Sequence, residues 1–249
     1  MKNTQTKIPD PRALVQSVKH WHQNFEVAPG VWTGGSYKPQ FWLQWMSLPN
    51  DLRGRRVLEI GSCDGFFTVE LARRGADVVA IDYQPKTQTG FWVTEAISGI
   101  KVEFHCANIY DIPALNLGTF DIVLFMGVLY HLPDPYRSLV LLADHCKEGG
   151  RLFLETVVTE RLPADLPLMQ FYKGRSLVND LTNFWVATPR CVMDLVEDVG
   201  FQVRRSQVMA SPGAEVTRMI AEVTRAVVNG SETERRKALA YGRWNGMAQ

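Results

Sequence analysis

The chain has 249 residues, 46% of them hydrophobic and 21% charged, which suits one larger domain or a core domain with a cap and excludes a small disulfide-stapled scaffold. Twenty-seven basic against 26 acidic residues leave a formal net charge of +1, so no global field attracts nucleic acid or an anionic membrane. The longest stretches without Asp, Glu, Lys or Arg, Pro39 to Asn50 and Ile122 to Pro133, fall far short of the roughly 20 apolar residues that span a bilayer.

The start, Met1 to Lys7, has no apolar run of the kind found in a secretory leader. Residues 1–55 then read as a cap: Asp10-Pro11 starts a helix with Leu14, Val18 and Trp21 on one side, and Trp32, Trp42 and Trp45 are expected to be buried anchors. From Val57 onward, strand-length apolar runs alternate with segments of helical period, so the expected class is α/β, a seven-stranded, mostly parallel sheet with helices on both faces. Val57–Ile60, Val78–Ile81, Lys101–His105, Asp121–Phe125 and Arg151–Thr156 read as strands. Helices are expected over Phe66–Arg74, ended by Gly75, and over a segment containing Leu139, Leu142, Ala143 and Cys146, ended by Gly149-Gly150. Thr188 caps a further helix with Pro189 in its first turn, Val192, Leu195, Val196 and Val199 in one stripe, and Gly200 at its end. Two late strands, Phe201–Val208 and about Arg218–Arg225, complete the sheet. Residues 56–228 thus form the main domain, with 157–186 too long for an ordinary crossover and read as a substrate lid. The polar tail, 229–249, contains a candidate capping box, Ser231 to Glu234, and a charged run, Glu232 to Lys237. Cys63, Cys106, Cys146 and Cys191 are spaced about forty residues apart with no CxxC pair, so a reduced, cytoplasmic protein without a metal site is expected.

The informative stretch is Glu59-Ile60-Gly61-Ser62-Cys63-Asp64-Gly65-Phe66, with Asp82 ending the next strand 17 residues past Gly65. A strand, a tight glycine turn, a helix and an acid on the following strand are what holds a nucleoside at the carboxyl edge of a parallel sheet. Gly61 and Gly65 let the backbone turn and approach a ligand, and Asp82 accepts from the ribose hydroxyls. The third glycine of a dinucleotide fingerprint is Phe66 here, and Glu59 places a carboxylate where a pyrophosphate would lie. The same acidity favours S-adenosylmethionine, whose sulfonium and ammonium are cationic.

These residues, with Phe120-Asp121-Ile122-Val123 and Gly127-Val128-Leu129-Tyr130-His131, resemble the class I SAM-dependent methyltransferases over roughly Val57 to Ala226. The resemblance implies a Rossmann-like domain and a cofactor surface of Glu59, Gly61, Ser62, Cys63, Gly65, Phe66, Asp82 and Tyr83. Asn108 and Ile109 then take the adenine, and Met126 and Gly127 lie near the methionine half. Cys63 stands where the family's middle glycine usually is. Met126 to His131, Leu154-Glu155-Thr156 and Asn183-Phe184-Trp185 are more narrowly similar to the tRNA wobble-uridine carboxymethyltransferases. That family implies a Tyr, matched by Tyr130, and an Arg whose position is Thr182, so ordinary SAM is the favoured donor.

Tyr130 and His131 follow the fourth strand, where a methyl acceptor belongs, and His131 is the first candidate for removing a proton, with Tyr130 and Glu155 behind it. Tyr37, Tyr130, Tyr172 and Trp185 are candidate substrate contacts; Asp121 is expected to pair locally, and His105 and His145 to be structural. The leading expectation is methyl transfer to an oxygen or nitrogen of a small metabolite. The alternatives are tRNA modification and a non-catalytic SAM-binding scaffold.

Overall fold

The structure, a computed structural model, describes residues 10–209 and 214–226 together with Ala238. The readings of Met1–Lys7, of the Ser231–Glu234 box and of the Glu232–Lys237 run lie outside the described residues. Two compact units are present: residues 1–54 with 62–107, and residues 55–61 with 108–249, so far as each is described.

The chain begins with α1 (Pro11–Ser17), the short pair β1 (Glu26–Ala28) and β2 (Val31–Trp32), and α2 (Pro39–Met46). Asp10 caps α1 by accepting from the Arg12 amide at 3.1 Å, and Pro11 sits at its start. The expected Leu14, Val18 and Trp21 stripe does not form, because α1 stops at Ser17 and none of its side chains is buried. Trp21 lies beyond the helix, buried, with its indole donating to the Val15 carbonyl at 3.0 Å. Trp42 is a buried anchor as expected, whereas Trp32 is 56% exposed.

After β3 (Arg56–Ile60), which belongs to the second unit, the first unit resumes with α3 (Phe66–Arg73), β4 (Asp77–Asp82), α4 (Phe91–Ser98) and β5 (Glu103–Cys106). Gly75 follows α3 at φ +87°, a conformation costly to any side chain, which is why the helix ends there. β4 and β5 pair in parallel, with Asp82 opposite Cys106.

The second unit continues through α5 (Ile112–Leu115), β6 (Phe120–Met126), α6 (Pro135–His145), β7 (Cys146–Val158), β8 (Met169–Phe171), β9 (Trp185–Ala187), α7 (Pro189–Asp198), β10 (Phe201–Val208) and β11 (Thr217–Arg225). Its strand order is β10-β11-β7-β6-β3, with β3, β6 and β7 parallel and β11 antiparallel to both neighbours. The five residues Ile122–Met126 are all buried, the continuous apolar run of a strand covered on both faces. Each large aliphatic or aromatic side chain among them contributes about 1.5–3 kcal/mol by leaving water.

One boundary differs from expectation. Cys146 is not the last position of a helical stripe but the first residue of β7, paired with Phe120. The register then shifts, Ile122 pairing with Arg151, so Gly149-Gly150 forms an irregularity within the strand rather than a helix stop. α7 follows its sequence signals closely: the Thr188 hydroxyl accepts from the Cys191 amide at 3.2 Å, and Cys191, Val192 and Val196 are buried.

These five strands and the β4–β5 pair make up the seven expected. β8 and β9 are additional: they pair antiparallel, and β9 joins the end of β7 at Val158 and Ala187. The 157–186 segment therefore has internal structure, with Tyr172, Leu177 and Val186 forming a small core of their own. Among the described residues no helix is long and apolar enough to cross a membrane.

Candidate functional site

From β3 the chain enters the turn Gly61-Ser62-Cys63-Asp64-Gly65 and then α3. Gly61 and Gly65 have φ of +76° and +85°. A Cβ at Gly61 would stand 2.5 Å from a methyl of Val128, so the position admits only glycine. Cys63 is also left-handed, at φ +51°, a conformation that costs a non-glycine residue about 1–3 kcal/mol and persists only where its surroundings enforce it. Asp82 supplies that enforcement: its Oδ2 accepts from the Cys63 amide at 2.8 Å while its Oδ1 accepts from the Gln84 amide at 2.9 Å. Burial raises the Asp82 carboxyl above the usual carboxylate range, the Gln84, Cys63 and Tyr83 amides oppose that, and the nearby Asp64 charge adds to it.

Asp64 was not singled out from the sequence, although it lies inside the motif. It is 1% exposed and accepts three backbone hydrogen bonds of 2.8 Å, from His22 and Gln23 at Oδ2 and from Gly90 at Oδ1. The Gln23 side chain in turn accepts from the Phe66 amide at 3.1 Å, satisfying a donor at the start of α3. The N-terminal segment is thereby tied to the glycine turn. Phe66 packs against Phe25, Tyr37 stacks on His22 with ring centroids 5.4 Å apart, and Tyr83 is largely exposed. The Ser62 hydroxyl is buried and has no hydrogen-bond partner among the described residues.

In the second unit, Glu59 is buried in β3 opposite Leu124. Asn108 caps the turn 109–111, its Oδ1 accepting from the Tyr110 amide at 3.1 Å, and Ile109 is buried. Met126 ends β6 opposite Glu155, and Gly127, at φ +73°, donates its amide to the Glu155 carbonyl at 2.8 Å. Glu155, a base candidate by sequence, is fully buried and clamped by Arg218 of β11, whose Nε donates to Oε1 and whose Nη2 donates to Oε2 at 2.6 Å. Burial pushes the Glu155 carboxyl up, and the guanidinium works against it. Arg218 also lies under the Tyr130 ring, 5.6 Å from its centroid. Burial raises the Tyr130 phenol, opposed by Arg218 and reinforced by Glu155. Sequence reasoning missed Arg218; a lone cation at the head of the apolar run Met219-Ile220-Ala221 was its only signal.

His131 follows Tyr130, with ring centroids 4.0 Å apart, and its Nδ1 contacts Thr182. Tyr172 is buried in the 157–186 core with its hydroxyl 3.3 Å from Glu215, and Trp185 donates to the Pro133 carbonyl at 3.3 Å. Both therefore have hydrogen-bond partners outside the 157–186 segment and tie it to the rest of the second unit. His105 pairs with Glu103, and His145 contacts the Leu141 carbonyl, as structural histidines do.

A glycine turn between a parallel strand and a helix, with an acid ending the next strand, defines a Rossmann-like α/β fold of the nucleoside-binding class. The chain belongs to the methyltransferase-domain family, which it matches over residues 36–206. It is 36% identical over 126 residues to the ubiquinone biosynthesis O-methyltransferase of Xanthomonas euvesicatoria pv. vesicatoria, covering 51% of this chain and 52% of that protein. The same-named protein of Aromatoleum aromaticum is 35% identical over 115 residues, 46% of this chain and 49% of that one. The chain thus spans about half the length of the curated relatives it matches. These relatives are ubiquinone O-methyltransferases rather than the tRNA wobble-uridine enzymes that the Tyr130-His131 sequence resembles.

Among solved structures, the N-terminal domain of EvdMO1 with SAH bound has a TM-score of 0.63 at 19% identity, covering 87% of this chain and 95% of that one. The [4+2]-cyclase SpnF has a TM-score of 0.61 at 14% identity, covering 87% and 91%. At these identities the likeness is one of fold, and a fold hosts more than one chemistry.

Proposed function

We propose that this protein transfers the methyl group of S-adenosylmethionine to an oxygen of a small-molecule acceptor. The observation that carries this reading is the Asp82 carboxylate, held by the Cys63 amide at the end of β4. A carboxylate offers about four lone-pair sites. The Cys63 and Gln84 amides use one on each oxygen and the Tyr83 amide also bears on the carboxylate, which still leaves acceptor capacity for a ribose hydroxyl. The buried Ser62 hydroxyl, without a hydrogen-bond partner among the described residues, and the left-handed Gly61 and Gly65 suit a ligand seated against the turn.

S-adenosylmethionine, when bound, supplies an electrophilic methyl group on a cationic sulfur. Gly61, Ser62, Cys63, Gly65 and Asp82 would hold the nucleoside side of it, Asn108 and Ile109 would take the adenine, and the acidity of Glu59 would suit its cations. Phe66 and Tyr83 flank the turn and the acid, and Met126 and Gly127 would serve the methionine half. Methyl transfer needs alignment above all, so positioning supplies most of the acceleration. His131 takes the acceptor's proton. Tyr130, its phenol raised by burial, stays a neutral hydrogen-bond donor near pH 7. Glu155 does not serve as the base, because its charge is committed to Arg218. The 157–186 segment, with Leu166, Phe171 and Leu181 exposed, is the acceptor lid, and Trp185, which lines a cavity with Leu129 and Tyr130, is its candidate acceptor contact. The O-methyltransferase names of the relatives favour oxygen as the acceptor atom and a small molecule over tRNA.

Calorimetric titration with S-adenosylmethionine tests the reading. Asp82→Ala weakens binding at least about tenfold, since one charge-assisted hydrogen bond is worth about 1.5–3 kcal/mol. An unchanged dissociation constant in that variant overturns the cofactor assignment.

A further inference from the structure

Three side chains of the second unit form a hydrogen-bonded series that the cofactor assignment leaves unused. Asp180 Oδ1 accepts from both the amide and the hydroxyl of Thr182, each at 2.8 Å. With its hydrogen given to Asp180, the Thr182 oxygen presents only lone pairs to His131, whose Nδ1 is 3.0 Å away. The Thr182 carbonyl oxygen is 3.1 Å from the same nitrogen. A carbonyl can only accept, so Nδ1 carries the proton, and in the neutral ring the lone pair sits on Nε2.

The backbone around this series is fixed at several points. The Phe184 amide donates to the Tyr130 carbonyl at 2.9 Å, holding residues 182–184 against the Leu129–His131 turn. The Asp180 amide donates to the Leu177 carbonyl at 3.0 Å, and Arg175 donates to the Asn179 carbonyl at 3.1 Å. Val178 and Asn179, just before Asp180, are both left-handed, with φ of 42° and 57°. A β-branched residue adopts that conformation only where its surroundings demand it.

We propose that Thr182 and Asp180 are positioning residues that fix His131 as the Nδ1–H tautomer, with Nε2 as the proton acceptor for a hydroxyl substrate. The inference deepens the methyltransferase reading and rests on it. In the step it serves, the acceptor's O–H proton passes to Nε2 as the new O–CH3 bond forms. The S–CH3 bond breaks with its electron pair staying on sulfur, and the imidazolium returns its proton to solvent. The charged and titratable groups around the ring define its response to pH. Asp180 favours the imidazolium, and Arg175 helps to keep the Asp180 carboxyl ionised. On the other side stands the Tyr130 phenol, with Arg218 and Glu155 behind it. Burial alone would raise Asp180; the Thr182 amide and hydroxyl and the His131 charge outweigh it and leave that carboxyl below its usual range.

The test combines two readouts on the full chain. Nitrogen-15 histidine spectra of the unliganded protein report tautomer and titration without any substrate. The expected result is an Nδ1–H tautomer for His131, with Asp180→Asn lowering its titration midpoint by about 0.5–1 unit, the scale of one neighbouring charge. In parallel, turnover of S-adenosylmethionine with catechol as the probe acceptor falls about tenfold in kcat in Asp180→Asn and Thr182→Val, with KM unchanged and the pH profile moved. Thr182→Ser, which keeps the hydroxyl, restores both readouts and excludes misfolding as the cause. An Nε2–H tautomer, or a midpoint and kcat that Asp180→Asn leaves unmoved, overturns the proposal. Failure of the methyltransferase reading is distinguishable, because it would appear as absent S-adenosylmethionine binding in the wild type while the spectra still decide the tautomer.

Discussion

Glu155 of β7 and Arg218 of β11 are joined by two parallel N–H···O bonds beside Gly127, the carboxylate fully buried and the guanidinium about one-third exposed. In the register of the two strands Glu155 faces Ile220, so Arg218 reaches it as the diagonal neighbour on the same face. The pair commits a charge that would otherwise stand alone in the sheet.

Removing one partner is therefore costly. Arg218→Met leaves an uncompensated buried carboxylate and lowers unfolding free energy by about 3–5 kcal/mol, whereas the double variant Arg218→Met/Glu155→Met regains most of that loss. Urea denaturation of the two proteins decides it; a double variant no more stable than the single one would show that the pair's geometry, not the stranded charge, is what matters.

Asp64 is the second buried carboxylate with a defined task. Asp64→Ala strands the amides of His22, Gln23 and Gly90, and at about 1–3 kcal/mol per unsatisfied donor the loss reaches at least about 3 kcal/mol. Limited proteolysis should cut the variant first within residues 10–54. Equal protection of variant and wild type would contradict the role.

Asp82 makes S-adenosylmethionine affinity depend on pH in a stated direction. Its carboxyl is raised by burial, so it takes up a proton at a pH above the value of about 4 of an ordinary Asp. Protonation removes acceptor capacity, and affinity should fall as the solution is acidified from neutral towards that raised value, while Asp82→Asn should be flat over the same range. A wild-type dissociation constant independent of pH from about 7.5 down to the ordinary Asp value of about 4 would refute this.

Asp121 shows the opposite shift. Burial alone would raise it, but Lys147 at 2.8 Å, the Arg56 amide at 2.9 Å and Arg55 at 3.4 Å bring it below its usual range. A lowered carboxyl contributes stability above its unfolded value of about 4, and that stability disappears as pH falls through the folded one. Asp121→Asn should cost about 1 kcal/mol at pH 7 and progressively less as pH falls through the lowered folded value. Thermal melts across the acid range measure the convergence.

How far the sequence reaches can be judged residue by residue. Thr188, Pro189 and Gly200 bound α7 by local rules, since a cap and a left-handed stop are decided by a few neighbouring dihedrals. The apolar runs of β3, β4 and β6 and the Gly61–Gly65 turn before Asp82 were legible for the same reason: period and backbone freedom are properties of the residue types themselves. The β7 start at Cys146 was not, because a stripe of apolar residues at helical spacing gives no sign that Phe120 offers a competing strand partner.

The site divides along the same line. The glycine turn, the acid at the end of β4 and the Tyr130-His131 pair after β6 are written in the residue order. Which charges stand beside one another was settled by the tertiary fold. It paired Glu155 with Arg218 from 63 positions further along the chain, and it gave His131 its partner Thr182 from 51 positions away. A carboxylate or an imidazole acquires its protonation state from whatever stands within a few ångströms of it, and over such separations that neighbour is chosen by strand pairing and loop closure rather than by any local pattern.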